Sequence, residues 1–169
     1  VLVSGDSDVV FLTWHWQRMW WEAFGRGQLL LTLAECDGIP IALSPLFADG
    51  GMLYFVGSGG SDYLDFIGDV GDPDALVAML DAAREHVRPF VGCRFYHIPE
   101  GSRTPIALRD AAGRLGLAVF DEGDLVAPAL DMSAGPEIAI AASNKKSLRR
   151  HERLLRSEGG LDVRHACDG

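Results

Sequence analysis

The residues best placed to do chemistry stand in one short stretch, Gly57 to Phe66, which reads GSGGSDYLDF and follows the apolar run MLYFV. A glycine-rich backbone can aim several N–H groups at one anion, so phosphate binding is the first chemistry to weigh. The surroundings oppose it. Neither G-x-x-x-x-G-K-[ST] nor a G-x-G-x-x-G opening a helix is present. Asp62, Asp65, Asp69, Asp72 and Asp74 crowd the neighbourhood, with no Lys or Arg from Ser58 to Ala83. Like charges about 4 Å apart repel by roughly 1 kcal/mol in water and about 4 kcal/mol at an effective dielectric near 20. What remains is a carboxylate and a phenol, Asp62 and Tyr63, which can hydrogen-bond a polar substrate and orient an amine or hydroxyl while the glycines permit close approach. The competing reading is structural, with an Asx-turn at Asp62 and Tyr63 packed into a sheet.

Other reactive residue types are scattered. His15, His86, His97, His151 and His165 form no H-E-x-x-H pattern, and Cys36, Cys93 and Cys167 contain no C-x-x-C, so neither a metal nor a disulfide framework is expected. No G-x-S-x-G elbow anchors a nucleophilic serine. Cys93 and His97 would share a face if CRFYHIP is a strand, where His97 is either a general base or a hydrogen-bonded core residue. Charge is uneven. The net charge is −9, yet Lys145 to Arg156 holds six of the 15 basic residues and one acid, leaving −14 on the remainder. Lys145, Arg149, Arg153 and Arg156 recur at helical spacing with Lys146 and Arg150 beside them, a basic stripe suited to an anionic substrate, an RNA backbone or an interdomain contact, or else simply solvated. The acidic balance opposes nonspecific nucleic-acid binding. No apolar run reaches the roughly 18 residues of a membrane span and no signal peptide opens the chain, so no membrane insertion is expected and the cytoplasm is the default location.

These groups must be positioned by a mixed α/β, or α+β, fold. Phe11, Trp14, Trp21 and Phe24 recur at helical spacing and predict an aromatic amphipathic helix; Trp14, Trp16, Trp20 and Trp21 span too wide an arc for one core. Three apolar runs between Gln28 and Gly57, broken by CDG and ADGG, predict an antiparallel meander with a hairpin at Asp37–Gly38. YLDFI reads as a short strand. DPDALVAMLDAAREHV reads as a helix capped by Asp72, with Pro73 in the first turn and Leu76, Met79, Leu80 and Ala83 on one face. CRFYHIP predicts a strand, RTPIALRDAAGRLG a helix ending near Gly116, LAVFDEG a strand, and LVAPALDM a strand interrupted at Pro128. A basic helix runs from Pro136 to the Gly159–Gly160 pair, and LDVRHA begins another strand-like pattern. The order is αβββ(β)αβαββ followed by the basic helix. Both ends read as cut, which makes the chain a fragment.

This order, with the helix W-x-x-x-W-W-x-x-F from Trp16 to Phe24, Pro45–Leu46, GSGGSDYLDF and SNKKSLRRHERLLRSEGGLDV, resembles the GNAT superfamily of acyltransferases. Within it the chain is similar to the N-terminal half of CelD-like (BioF2-like) acetyltransferases linked to cellulose and exopolysaccharide formation, relatives of the Fem-type aminoacyltransferases built from two GNAT-like halves. The resemblance implies a largely antiparallel central sheet flanked by helices, with residues 1–135 as an N-terminal domain and 136–169 as a connecting helix and the start of a second. It implies an acyl-CoA donor such as acetyl-CoA, a sugar or amine acceptor, and a C-terminal GNAT-like half as partner. The family's pyrophosphate loop, [QR]-x-x-G-x-[GA], would fall at FIGDVGDPDA, where Phe66 or Ile67 stands for Gln or Arg, so acyl-CoA is expected on the other half. This half would then supply the acceptor side, through Asp62 and Tyr63, and a domain interface, through Lys145, Lys146, Arg149, Arg150 and Arg153. The alternatives are a noncatalytic partner-binding scaffold and an RNA-contacting half of a Fem-like enzyme.

Overall fold

The computed structural model describes residues 9–128, 131, 133 and 135–159. Two compact units divide between Gly123 and Asp124.

The first unit is built on alternation. The strands β1 (Gln28–Cys36), β2 (Ile39–Asp49) and β3 (Met52–Phe55) form the expected antiparallel meander. Its first turn places Asp37 and Gly38 at φ 51° and 75°, the left-handed pair that suits the twist of a two-residue hairpin. β4 (Ile67–Gly68) pairs with β2 at Ala42 and Leu43, and β5 (Gly92–Cys93) lies parallel to β3, closing a mixed five-stranded sheet. Leu30, Ala34, Ala42, Leu46, Leu53 and Phe55 face one side and meet the buried stripe Leu76, Met79, Leu80 and Ala83 of α2 (Pro73–Glu85), together with Ala107 and Ala111 of α3 (Thr104–Arg114). The Asp72 carboxylate caps α2 by accepting from Asp74 N, with Pro73 in the first turn, as expected. On the opposite face Phe47, Tyr54 and Val56 meet Trp20 and Trp21 of α1 (Trp14–Phe24). Leu29, Leu31 and Leu33 of β1 project on the same face as Phe47 and are 38%, 50% and 47% exposed.

Several expectations are corrected. The first helix does not run from Phe11. Val10–Leu12 make a 3-10 turn that buries Leu12, and Thr13 then caps α1. The buried stripe is not Phe11–Trp14–Trp21–Phe24 either. Trp14 and Phe24 stay exposed, because the entry turn rotates α1 so that Trp20 enters the sheet contact. YLDFI pairs only at Ile67, since the Phe66 N–H is taken by the Asp65 carboxylate and the Leu64 N–H by the His97 carbonyl. CRFYHIP contributes only Cys93 to the sheet. Beyond Arg94 the chain turns through His97 at φ 65°, which takes Cys93 and His97 off any common strand face. LAVFDEG is not a strand: Val119 and Phe120 are exposed, and the segment is held by Arg109–Asp121 and Arg94–Glu122 ion pairs. Leu125 to Pro128 also carry no strand, and the remainder of LVAPALDM, apart from Asp131, lies outside the described residues, as does LDVRHA.

In the second unit the basic helix is two helices. α4 (Pro136–Ser143) stops at Asn144, whose side chain accepts from Arg149, and α5 (Lys146–Glu158) starts after Lys145 in extended conformation. Asn is a weak helix former that competes for local hydrogen bonds, which accounts for a break at that residue.

Leu46 is fully buried at the centre of β2, between β1 and β3. Truncation there leaves a cavity that a sheet strand cannot collapse to fill, so Leu46→Ala is expected to lower the unfolding free energy by about 2–5 kcal/mol. Urea denaturation followed by circular dichroism measures it; a loss below about 1 kcal/mol would mean that this strand is not the core.

Candidate functional site

The glycine-rich stretch leaves the end of β3 and is held on two sides. On one side, Trp16 of α1 donates its indole N–H to Ser61 Oγ at 2.9 Å. On the other, His97 Nδ1 lies 2.7 Å from the Ser61 carbonyl oxygen, and the His97 carbonyl accepts from Leu64 N at 3.0 Å. Gly57 has φ 105°, and a Cβ there would approach Leu64 Cδ2 at 2.7 Å and Ser61 Oγ at 2.8 Å. The turn therefore requires glycine for both backbone and space.

The inner end of the stretch is fixed by a buried carboxylate. Asp65 accepts from Ser102 Oγ at 2.5 Å, from Thr104 Oγ1 at 2.5 Å and from Phe66 N at 2.8 Å. Ser102 Oγ in turn accepts from Thr104 N at 3.0 Å, which occupies a free donor at the start of α3. Burial drives the Asp65 carboxyl above its ordinary range; the two hydroxyls and the Phe66 N–H pull it back without cancelling the rise.

Between these anchors Asp62 and Tyr63 are left exposed. The Tyr63 ring lies 6.4 Å from Phe11, and Phe11 packs edge-on against Trp16 at 4.9 Å. The result is a carboxylate and a phenol displayed beside a short aromatic row. Tyr63 does not pack into the sheet. No Asx-turn hydrogen bond is formed by Asp62 among the described contacts.

His97 bonds the two residues that flank this pair, Ser61 and Leu64. A carbonyl oxygen can only accept, so Nδ1 must carry the proton toward Ser61, and in the neutral ring Nε2 then holds the lone pair. Its left-handed backbone is uncommon for a residue with a side chain and is a strain of order 1–3 kcal/mol, of the kind that gathers at functional positions. Ser58 Oγ, in the loop, and Gln17 Nε2, next in sequence to Trp16, are buried with no partner among the described residues.

The remaining candidates lie elsewhere. Lys145, Lys146, Arg149, Arg150 and Arg153 are all exposed on or just before α5 in the second unit. Cys93 is half-buried, and burial pushes its thiol up to about 11 against a smaller opposing pull from Arg84, so it is a poor nucleophile at neutral pH. No group of three or more His, Cys, Asp or Glu side chains is arranged to hold a metal among the described residues. A cleft of about 370 Å³ opens at the other end of β3, lined by Gly27, Asp49, Gly50, His86 and Arg88 among others. Within it His86 Nδ1 bonds the Ala82 carbonyl, and Arg88 Nη1 the Val87 and Arg84 carbonyls.

Sequence reasoning singles out Asp62 and Tyr63 but not what holds the segment that carries them. Trp16 and Ser61 are 45 residues apart, and Asp65 and Thr104 are 39 apart. It also misses that α3 supplies cations to the acidic stretch. Arg114 pairs with Asp74 at 2.6 Å, and the Arg103 side chain lies against Gly71 close to Asp69.

Comparison with protein-family models, curated proteins and solved structures returned no match.

Asp65→Ala strips an acceptor from two hydroxyls and one amide and is expected to destabilise the fold by about 2–4 kcal/mol, whereas Asp65→Asn keeps an acceptor and loses less. The pH dependence has a definite sign. A carboxyl whose folded-state value is raised contributes stability that is full below its unfolded value, about 3.9, and is lost as pH climbs through the raised folded value. The stability of Asp65→Asn relative to wild type should therefore improve as pH rises across that window. Denaturation at several pH values measures this, and a gap that widens against Asn with rising pH contradicts the assigned direction.

Proposed function

We propose that this chain is the acceptor-side half of a two-domain GNAT-type acyltransferase, which moves an acyl group from a thioester such as acetyl-CoA to an amine or hydroxyl on a sugar or related acceptor. The observation that carries the reading is the exposure of Asp62 and Tyr63 directly after Ser61, whose carbonyl holds His97 Nδ1 and so leaves the ring lone pair at Nε2. Acyl transfer needs an oriented acceptor and a destination for its proton. Asp62 and Tyr63 bind and orient the acceptor. His97 Nε2 takes the proton from the acceptor N–H or O–H as that atom bonds to the thioester carbonyl carbon. The C–S bond breaks, and the departing thiolate recovers a proton. The donor and the dipoles that stabilise the oxyanion belong to the other GNAT-like half, and exopolysaccharide or cellulose biosynthesis is the setting that the resemblance favours.

The exposed row Leu29, Leu31 and Leu33 favours a second reading, a noncatalytic module that binds a partner protein. The two readings separate on the full-length protein, assayed for thiol release from acetyl-CoA with a panel of amino sugars and polysaccharide fragments. Asp62→Ala is expected to lower kcat/KM by about tenfold to a hundredfold, the scale of a lost charged hydrogen bond. His97→Gln should lower kcat by about 10²–10⁴ with little change in KM, because only the proton transfer is removed. Tyr63→Phe should act mainly on KM. If folded variants transfer acetyl groups at the wild-type rate, the noncatalytic reading replaces this one.

A further inference from the structure

α5 presents two chemically distinct faces. At 100° per residue, Lys146, Arg149, Arg150, Arg153 and Arg156 fall on one face, while Leu148 and Leu155 fall opposite, with Leu154 on the flank. No residue of this helix is buried; Leu148, Leu154 and Leu155 are 49%, 53% and 55% exposed. Arg156 is neutralised by Glu152 at 2.9 Å, whereas Lys146, Arg150 and Arg153 have no carboxylate partner among the described residues. α4, in the same unit, reads PEIAIAAS, apolar after its first turn, with Ile140 58% exposed.

We infer that α5 is an interfacial helix that lies on an anionic lipid bilayer, with its leucines at the acyl boundary and its lysine and arginines on the lipid phosphates. Charge complementarity selects an anionic partner: the stretch Lys145 to Arg156 carries six basic residues and one acid in a chain of net charge −9. The leucines then select the bilayer. A nucleic-acid backbone rewards the cations alone and leaves apolar side chains in water, whereas a strongly charged face opposite an apolar one is the pattern of helices that lie in the membrane interface. No helix among the described residues is long and apolar enough to cross a membrane, so attachment is peripheral. The carboxylate-rich remainder of the chain is repelled by the same surface, which biases the approach toward α5.

Co-sedimentation of the purified chain with extruded vesicles tests this. Vesicles of phosphatidylglycerol and phosphatidylcholine should retain the protein at low salt, and pure phosphatidylcholine should not. Neutralising two cations, Lys146→Gln with Arg150→Gln, should weaken partitioning about 25-fold, from roughly fivefold per basic residue near an anionic surface. Leu148→Ser with Leu155→Ser should weaken it about tenfold or more at unchanged charge. Circular dichroism of each variant confirms that the fold is retained. Failure to bind anionic vesicles at low ionic strength overturns the proposal. So does vesicle binding that survives the leucine substitutions, and so does a single-stranded RNA 20-mer that binds wild type and leucine variant alike and more tightly than the vesicles do, since a nucleic acid would then be the partner.

Discussion

Burying a carboxylate is unfavourable unless donors surround it, and the geometry of the glycine-rich stretch depends on that requirement at Asp65. Its three partners come from two places: the next residue, Phe66, and Ser102 and Thr104 at the start of α3. Satisfying one side chain therefore ties the end of the loop to the beginning of a helix that packs on α2. Ser102 bonds both the carboxylate and the Thr104 N–H, so the same hydroxyl that stabilises Asp65 also starts α3. The outer part of the stretch has no buried charge and is held instead by Ser61, which accepts from Trp16 through its hydroxyl and from His97 through its carbonyl. Asp62 and Tyr63 therefore lie between two residues, Ser61 and Asp65, that are each bonded to other elements.

The sequence is most legible where one local signal suffices. The Asp72 cap, Pro73 and the apolar face of α2 lie within one helix, and Asp37–Gly38 sits between two runs that pair directly. It is least legible where backbone groups find partners outside their own segment. YLDFI and CRFYHIP have the aromatic, alternating character of strands, yet the Leu64 and Phe66 N–H groups that would build a ladder go to the His97 carbonyl and the Asp65 side chain. No local pattern announces that competition. The aromatic face of α1 is misread for a related reason. Spacing alone makes Phe11, Trp14, Trp21 and Phe24 an acceptable stripe, but Leu12 and the Thr13 cap set the rotation that turns Trp20 inward. Asp62 and Tyr63 are legible as a polar pair beside glycines. Trp16, Asp65 and His97 are not legible as their supports, because the contacts they make join positions 45, 39 and 36 residues apart.

Charge in the first unit also depends on tertiary structure. The acidic stretch from Asp62 to Asp74 has no cation nearby in sequence, but α3 brings Arg103 to Gly71 beside Asp69 and pairs Arg114 with Asp74. The Arg114 pair is largely exposed and so worth little in stability. Its larger effect is on the field. It moderates the repulsion around the start of α2 but leaves Asp62 with no cation bonded to it among the described contacts, so the loop keeps a local negative potential.

That potential discriminates among acceptors on the proposed reading. An anionic acceptor is repelled by Asp62, and a neutral hydroxyl gains only hydrogen bonds. An amine arrives as an ammonium ion, which Asp62 attracts, but an ammonium nitrogen has no lone pair with which to attack a thioester. Attraction and reactivity then require different groups: a carboxylate that holds the cation, and a neutral imidazole that removes its proton. Asp62 is exposed and acceptor-only when ionised. His97 is fixed by the Ser61 carbonyl in the tautomer whose Nε2 can accept. An amine acceptor is thus the one for which both residues have work to do: Asp62 to hold the ammonium ion and His97 Nε2 to accept its proton.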